Sequence, residues 1–210
     1  MNYGYDLDVS AAKNAESIGK YIRETGKYIG KFIRAEVIIS KEKGSRGIEF
    51  DFVADNKECT LQIWTHSSSG EPFAGNNMIN AIMTCLKLRG IRPTMQRVDK
   101  YDYDIKQKTV VEANVFPDLM HKPIGLLLQK EISEYQGKEK SKMLIFAAFD
   151  AQTEQTASEI IDKIPQPLAL GRMVANLADK DTRKHTASHN QQYASYRGGN
   201  QPIDDDLPFN

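Results

Sequence analysis

The stretch Lys27-Tyr28-Ile29-Gly30-Lys31-Phe32-Ile33-Arg34-Ala35-Glu36-Val37-Ile38-Ile39 decides the fold class. Its apolar residues recur at every second position, the period of a strand and not of a helix. One alternating set is Ile29, Lys31, Ile33, Ala35, Val37 and Ile39; the other is Tyr28, Gly30, Phe32, Arg34, Glu36 and Ile38. The pattern predicts a long strand with a mostly aliphatic face and a mixed aromatic and charged face. The basic link Lys41-Glu42-Lys43-Gly44-Ser45-Arg46-Gly47 reads as a hairpin turn. Next comes a strand with Ile48, Phe50, Phe52 and Ala54 on one side, turned by Asp55-Asn56. A third strand, Lys57 to His66, directs Leu61 and Ile63 to the core and Thr60, Gln62, Trp64 and His66 to the other side. Three strands joined by short turns form an antiparallel meander.

Helical spacing returns over Asn76 to Leu88, where Ile79, Ile82, Met83 and Leu86 make an apolar stripe, Asn76 or Asn77 caps the start and Gly90 stops the end. Arg92 to Lys108 is polar and charged and reads as an exposed or partly ordered connection. Two further strands are expected: one from Val110 to Phe116 or from Ile124 to Tyr135, the other from Lys142 to Phe149, the latter after the lysine-rich turn Gln136 to Lys140. Helices are expected from Ala11 to Glu24 at the N-terminus and from Ala157 to Ile164 at the C-terminus, with a further helical segment at Leu168 to Ala178. The order strand, strand, strand, helix, strand, strand fits a mainly β protein, a five-stranded Greek-key barrel of the OB type with its helix between strands 3 and 4. An unrelated antiparallel sheet with packed helices is the rival. The expected division is an N-terminal extension at 1–24, the β domain at 25–164, a helical segment and linker at 165–199, and a tip at 200–210. The Gln-, Asn-, Ser- and Gly-rich stretch after Asp179 has too few aliphatic side chains to offset the entropy of ordering it.

The chain has 210 residues, with 28 Lys and Arg against 28 Asp and Glu, so a net charge of zero argues at first against a polyanionic partner. The charge is not evenly spread. Between Gly19 and Gly47, Lys20, Arg23, Lys27, Lys31, Arg34, Lys41, Lys43 and Arg46 face only Glu24, Glu36 and Glu42. Lys87 to Lys108 is basic as well, and Asp204-Asp205-Asp206 concentrates the opposite sign. No run reaches the roughly 18 apolar residues of a membrane span, and the N-terminus lacks the layout of a secretory signal. A cytoplasmic protein is expected. The 2 cysteines, Cys59 and Cys85, are far apart and support neither a disulfide framework nor a zinc site.

No Walker-type loop, GxGxxG, HExxH or GxSxG occurs, so no enzyme activity and no cofactor is expected. His185 and His189 are four apart but lie in the linker-like stretch, and Asp99, Asp102 and Asp104 alternate with Lys100, Tyr101 and Tyr103, so no metal site is expected. The positive signal is aromatic rings interleaved with bases on strand faces. Trp64 shares a face with Thr60, Gln62 and His66, where a large ring is either a lid over a small core or a platform for something flat. Single-stranded nucleic acid is held on such platforms, each stacked base contributing roughly 1–3 kcal/mol without readout of sequence. Tyr28 and Phe32, with Arg34 beside them, repeat the arrangement. Cover for the sheet's second face against the N-terminal helix is the competing role for these rings. Phosphates would meet Lys27, Lys31, Arg34, Lys41, Lys43 and Arg46, with Arg92 and Arg97 as a second bank. Phe50, Phe52, Phe146 and Phe149 are assigned to the core.

The polar linker followed by Asp204-Asp205-Asp206-Leu207-Pro208-Phe209 resembles the acidic tip, Asp-Asp-Asp-Ile-Pro-Phe, of bacterial single-stranded DNA-binding proteins. Here Asn210 follows Phe209. The layout of Gly26-Lys27-Tyr28, the basic hairpin at Lys41 to Gly47, and Gly125 to Tyr135 before Gly137-Lys138 is similar to the single-stranded DNA-binding proteins of tailed bacteriophages and prophages. The resemblance implies an OB fold and sequence-independent binding of single-stranded DNA. It further implies a tip whose acids and Phe209 dock on replication, recombination and repair enzymes. It places the protein in the cytoplasm of a bacterium or a phage-infected host and leaves a homodimer open. Two alternatives stand beside it: a phage adaptor that binds host replication proteins without binding DNA, and an enzyme of nucleic-acid metabolism.

Overall fold

The computed structural model, which describes residues 6–7, 19–102, 105 and 107–183, makes the alternating stretch a single strand, β1 (Gly26–Ile39). It runs antiparallel to β2 (Arg46–Ala54), and β2 runs antiparallel to β3 (Lys57–His66), so the expected meander is present. Asp55 and Asn56 turn β2 into β3 with φ of 48° and 62°, the left-handed pair that tight hairpins require. After β3 come α1 (Gly75–Cys85), β4 (Thr94–Asp102), β5 (Gln107–Val115), a 3-10 turn (Pro117–Leu119), β6 (Pro123–Tyr135) and β7 (Lys138–Phe149). Two short helices, α2 (Ala157–Ile161) and α3 (Ala169–Ala175), precede β8 (Lys180–Asp181). The protein is mainly β, its helices few and short.

β1 is the hub of the sheet. Gly26–Lys31 pairs with Leu128–Pro123 of β6, Lys31–Ile39 with Val53–Arg46 of β2, and Glu36 with Val115 of β5. β6 pairs with β7, which packs alongside β3. The eight strands among the described residues are three more than the expected five. The polar connection expected at Arg92 to Lys108 is instead most of the β4–β5 hairpin, and both 110–116 and 124–135 lie in strands. Its hydrophobic alternation is weak because only Val98 of β4 is buried; the backbone ladder to β5 holds it instead.

The face assignment of β1 changes along its length. A bulge between Phe32 and Arg34 shifts the register by one residue and so exchanges the faces. Before it Phe32 points inward and Ile29 is 44% exposed; after it Ala35 points inward. Phe32 sits in the core, its ring centroid 4.4 Å from that of Phe50 and 5.7 Å from that of Phe52. Leu61, Ile82, Val115, Leu119, Ile124, Leu126 and Leu128 complete this core, with Ile79, Ile82 and Cys85 of α1 packed across it. A second bulge between Leu127 and Leu128 lets three consecutive leucines be buried on two sides. Leu127 joins Phe149 and Leu170 in a smaller cluster under α3.

Further expectations are corrected here. α1 has no side-chain cap at its start and ends at Cys85, before Gly90. Its stop is Lys87, at φ 57°, with the Leu88 N–H donating to the Met83 carbonyl and the Lys87 N–H to that of Thr84. That closes a Schellman motif on a residue other than glycine. Residues 19–24, assigned to an N-terminal helix, are not helical: Tyr21 bridges to Glu58, Ile22 N–H donates to Glu58 O and Glu58 N–H to Lys20 O, pairing this segment to β3. The rest of that helix lies outside the described residues. Phe146 is 42% exposed and not a core residue. Among the described residues no helix is long and apolar enough to cross a membrane.

Candidate functional site

Trp64 lies where alternation puts it, outward beside Gln62 and Thr60, while Leu61 and Ile63 face the core. Its residue exposure of 36% leaves part of the ring open to a ligand. The indole rests over Gly47 of β2. A Cβ at that glycine would stand 3.1 Å from Cε3 of the ring and 2.5 Å from the Ile63 carbonyl, so any side chain would displace the platform.

The β1–β2 turn next to this end of β3 carries Lys41, Lys43 and Arg46, all exposed and in no ion pair with another described residue. Ser40 organises the turn: its N–H donates to Ser45 O, and its carbonyl and hydroxyl accept from the Gly44 and Lys43 N–H groups. Arg46 pairs in register with His66, and its carbonyl accepts from the Thr65 hydroxyl at 3.1 Å. The turn that leads into Gly47, under the partly open indole, therefore carries three cations in no described ion pair, with Glu42 the acid among them. Phe73, 39% exposed, is tied to the same end of β3 by its N–H on Thr65 O. Sequence reasoning missed Phe73 because it lies in a loop without periodicity.

The β1 candidates fare differently. Phe32 is fully buried, so it is a core residue and no platform. Arg34 is 3% exposed and held by three acids, which corrects its assignment to phosphate binding. Its Nε donates to Asp51 at 2.7 Å, Nη2 to Glu49 at 2.7 Å and to Asp51 at 3.1 Å, and Nη1 to Glu36. Burial works against its charge, but the Asp51 and Glu49 carboxylates keep it protonated far above any accessible pH. Lys100 reaches Glu36 at 2.9 Å, Gln62 donates to Glu49 and Thr60 to Asp51. The outward face of β1 and β2 is thus an ion-paired network with one acid in excess, three acids against two bases, and not a basic surface.

Tyr28 packs on the core and donates its hydroxyl to the Glu24 carbonyl at 2.9 Å; burial, then the nearby Glu24 carboxylate, pushes its ionisation up. Lys27 pairs with Glu154 at 2.5 Å and lies 5.4 Å from the Phe149 ring centroid. Lys31, which alternation placed with the core set, is exposed because the bulge reversed that set. Arg92 is exposed, and Arg97 faces Glu112 at 3.6 Å across the β4–β5 hairpin. Asp204 to Phe209, His185 and His189 lie outside the described residues. Among the described residues no group of three His, Cys, Asp or Glu side chains is placed to hold a metal ion. The chain matches no family model and no curated protein.

Proposed function

We propose that the protein binds single-stranded DNA without strong sequence preference and recruits replication, recombination or repair enzymes through its acidic tip. The observation that carries this reading is the partly open Trp64 indole over Gly47, at the end of the turn that bears Lys41, Lys43 and Arg46. A ring can stack on any base while the cations meet phosphates. We read β1, β2, β3, β6 and β7 with α1 as an OB-type unit, to which the β4–β5 hairpin is an insertion. The support is topological: β1 is shared between β2 and β6, β7 lies beside β3, and α1 falls between the third and fourth of these strands. The activity requires no cofactor and belongs in the cytoplasm of a bacterium or an infected host.

Emission of Trp64, the 1 tryptophan of the chain, reports the contact directly. Titration with oligo(dT) quenches it, and the affinity falls as salt rises with a log–log slope of about −0.7 for each phosphate neutralised. Unchanged emission together with no shift in a gel removes the reading. The second reading, an adaptor that binds proteins only, draws on the acid-rich network on β1 and β2. Retained capture of replication proteins without any quenching would select it.

A further inference from the structure

At the opposite end of β3 from Trp64 lies a cleft of about 490 Å³, within the ~300–1,000 Å³ range of small-ligand sites. Tyr21 and Arg23 of the N-terminal segment, Tyr101 and Lys108 of the β4–β5 hairpin, and Cys59 and Thr60 of β3 line it. A neighbouring depression shares Tyr21, Arg23 and Thr60 and continues to Ser141 and Lys142 of β7. Segments on either side of the three-stranded meander thus supply this site.

Its chemistry repeats that of the Trp64 end. Tyr21 and Tyr101 are 41% and 40% exposed, and the Arg23 guanidinium stands 5.4 Å from the Tyr21 ring centroid. Arg23 is in no ion pair with a described residue. Lys108 and Lys20 share the single acid Glu58, at 3.0 and 3.8 Å, and Asp51 is already engaged by Arg34 and Thr60. The Cys59 thiol adds no charge, since burial, with Asp51 and Glu58 nearby, pushes its ionisation up to about 12. The acids Asp51 and Glu58 line the cleft too and balance Arg23 and Lys108, so what it offers a strand is two rings with Arg23 beside them as the cation that no described acid holds. Trp64 lies four residue steps along β3 from Thr60, about 13 Å. The face between them is Gln62 and the Arg34 network, one acid in excess, which offers phosphates nothing.

We infer that this cleft is a second nucleotide-binding station for the strand that stacks on Trp64, an inference that rests on the single-strand-binding reading. One base stacks on a tyrosine ring of the cleft, its phosphate meets Arg23, and the intervening nucleotides cross Gln62 and Thr60 without a cation. Binding is then bipartite: a short strand occupies one end, and a strand long enough to reach both is held more tightly.

The test compares oligo(dT) of about two nucleotides, too short to span ~13 Å, with oligo(dT) of about twelve, within the range of site sizes for such folds. Wild type, Tyr21→Ala and Arg23→Ala are read by Trp64 quenching, with thermal melts checking the fold. In Tyr21→Ala the affinity for the long strand falls about 5- to 150-fold, the worth of one stacked base. The affinity for the short strand is unchanged. In Arg23→Ala the salt slope for the long strand weakens by about 0.7, one phosphate contact. A Tyr21→Trp reporter in a Trp64→Phe background is quenched by the long strand. Folded variants that bind both lengths like wild type, or a reporter that does not respond, overturn the second station while leaving DNA binding at Trp64 intact. No quenching in wild type at either length overturns the function itself.

Discussion

Replacing Arg34 by methionine tests whether this residue serves the fold or the ligand. The guanidinium is 3% exposed and donates four hydrogen bonds to Asp51, Glu49 and Glu36. Methionine fills much of the volume but leaves three carboxylates facing one another with only Lys100 nearby, 2.9 Å from Glu36. Removing one partner of a buried ionic cluster costs about 3–5 kcal/mol, because the acids stay desolvated without compensation. In a protein of this size each kcal/mol lowers Tm by roughly 2–4 °C, so Arg34→Met melts about 6–20 °C lower. Scanning calorimetry or circular dichroism measures the drop. Adding Glu49→Gln and Asp51→Asn restores most of it, since neutral amides need no counter-charge. The result that refutes the reasoning is a melt within about 3 °C of wild type combined with a clear loss of oligo(dT) affinity. That would place Arg34 on the DNA and the network at the surface.

Other expectations follow from the same contacts. Glu159 is 3% exposed; burial alone would raise its ionisation. Hydrogen bonds from the Thr156, Ala169 and Leu168 N–H groups and the Thr156 hydroxyl instead bring it down to about 2. A depressed carboxylate stabilises above its ordinary value of 4.5 and loses that contribution as pH falls toward about 2. Glu159→Gln therefore costs at most ~3 kcal/mol at neutral pH in a urea titration and only a small part of that at pH near 2; a defect of equal size at both would refute the assignment. Gly125→Ala would put a Cβ 2.0 Å from the ring of Phe149, itself fully buried, so overpacking of about 1–3 kcal/mol or more should appear as a lower Tm, and a neutral melt would contradict it. Gly47→Ala displaces the indole at Trp64 and should shift its emission and weaken oligo(dT) binding several-fold; an unaltered spectrum sinks that account. Deleting Asp204 to Asn210 should abolish capture of partner enzymes while DNA affinity stays equal or rises; a fall in DNA affinity would contradict the proposed division of labour.

What the sequence by itself determined was local. Period-two alternation set the meander, and the Lys57–His66 strand has the bounds that alternation assigned it. Asp55-Asn56 marked its turn, and the same alternation put Trp64 outward, because β3 stays in unbroken register with β2 from Lys57 to Ile63 and shifts only past Trp64. The basic turn at Lys41 to Arg46 was equally legible, since a short polar hairpin has nothing to pack against. What only the tertiary structure decided depended on register and on contacts distant in sequence. The bulge between Phe32 and Arg34 exchanged the faces of β1, sending Phe32 into the core and freeing Lys31. No composition of that segment reveals it, because the extra residue is placed by pairing with β2. Arg34 looked like a phosphate ligand because its acids, Glu49 and Asp51, come from another strand. The β4–β5 hairpin escaped notice because its ladder, not an apolar face, holds it. The Tyr21–Tyr101 cleft was invisible for a related reason: its residues are drawn from the N-terminal segment, β2, β3, β4 and β5, and the pairing of those segments alone brings them to one place.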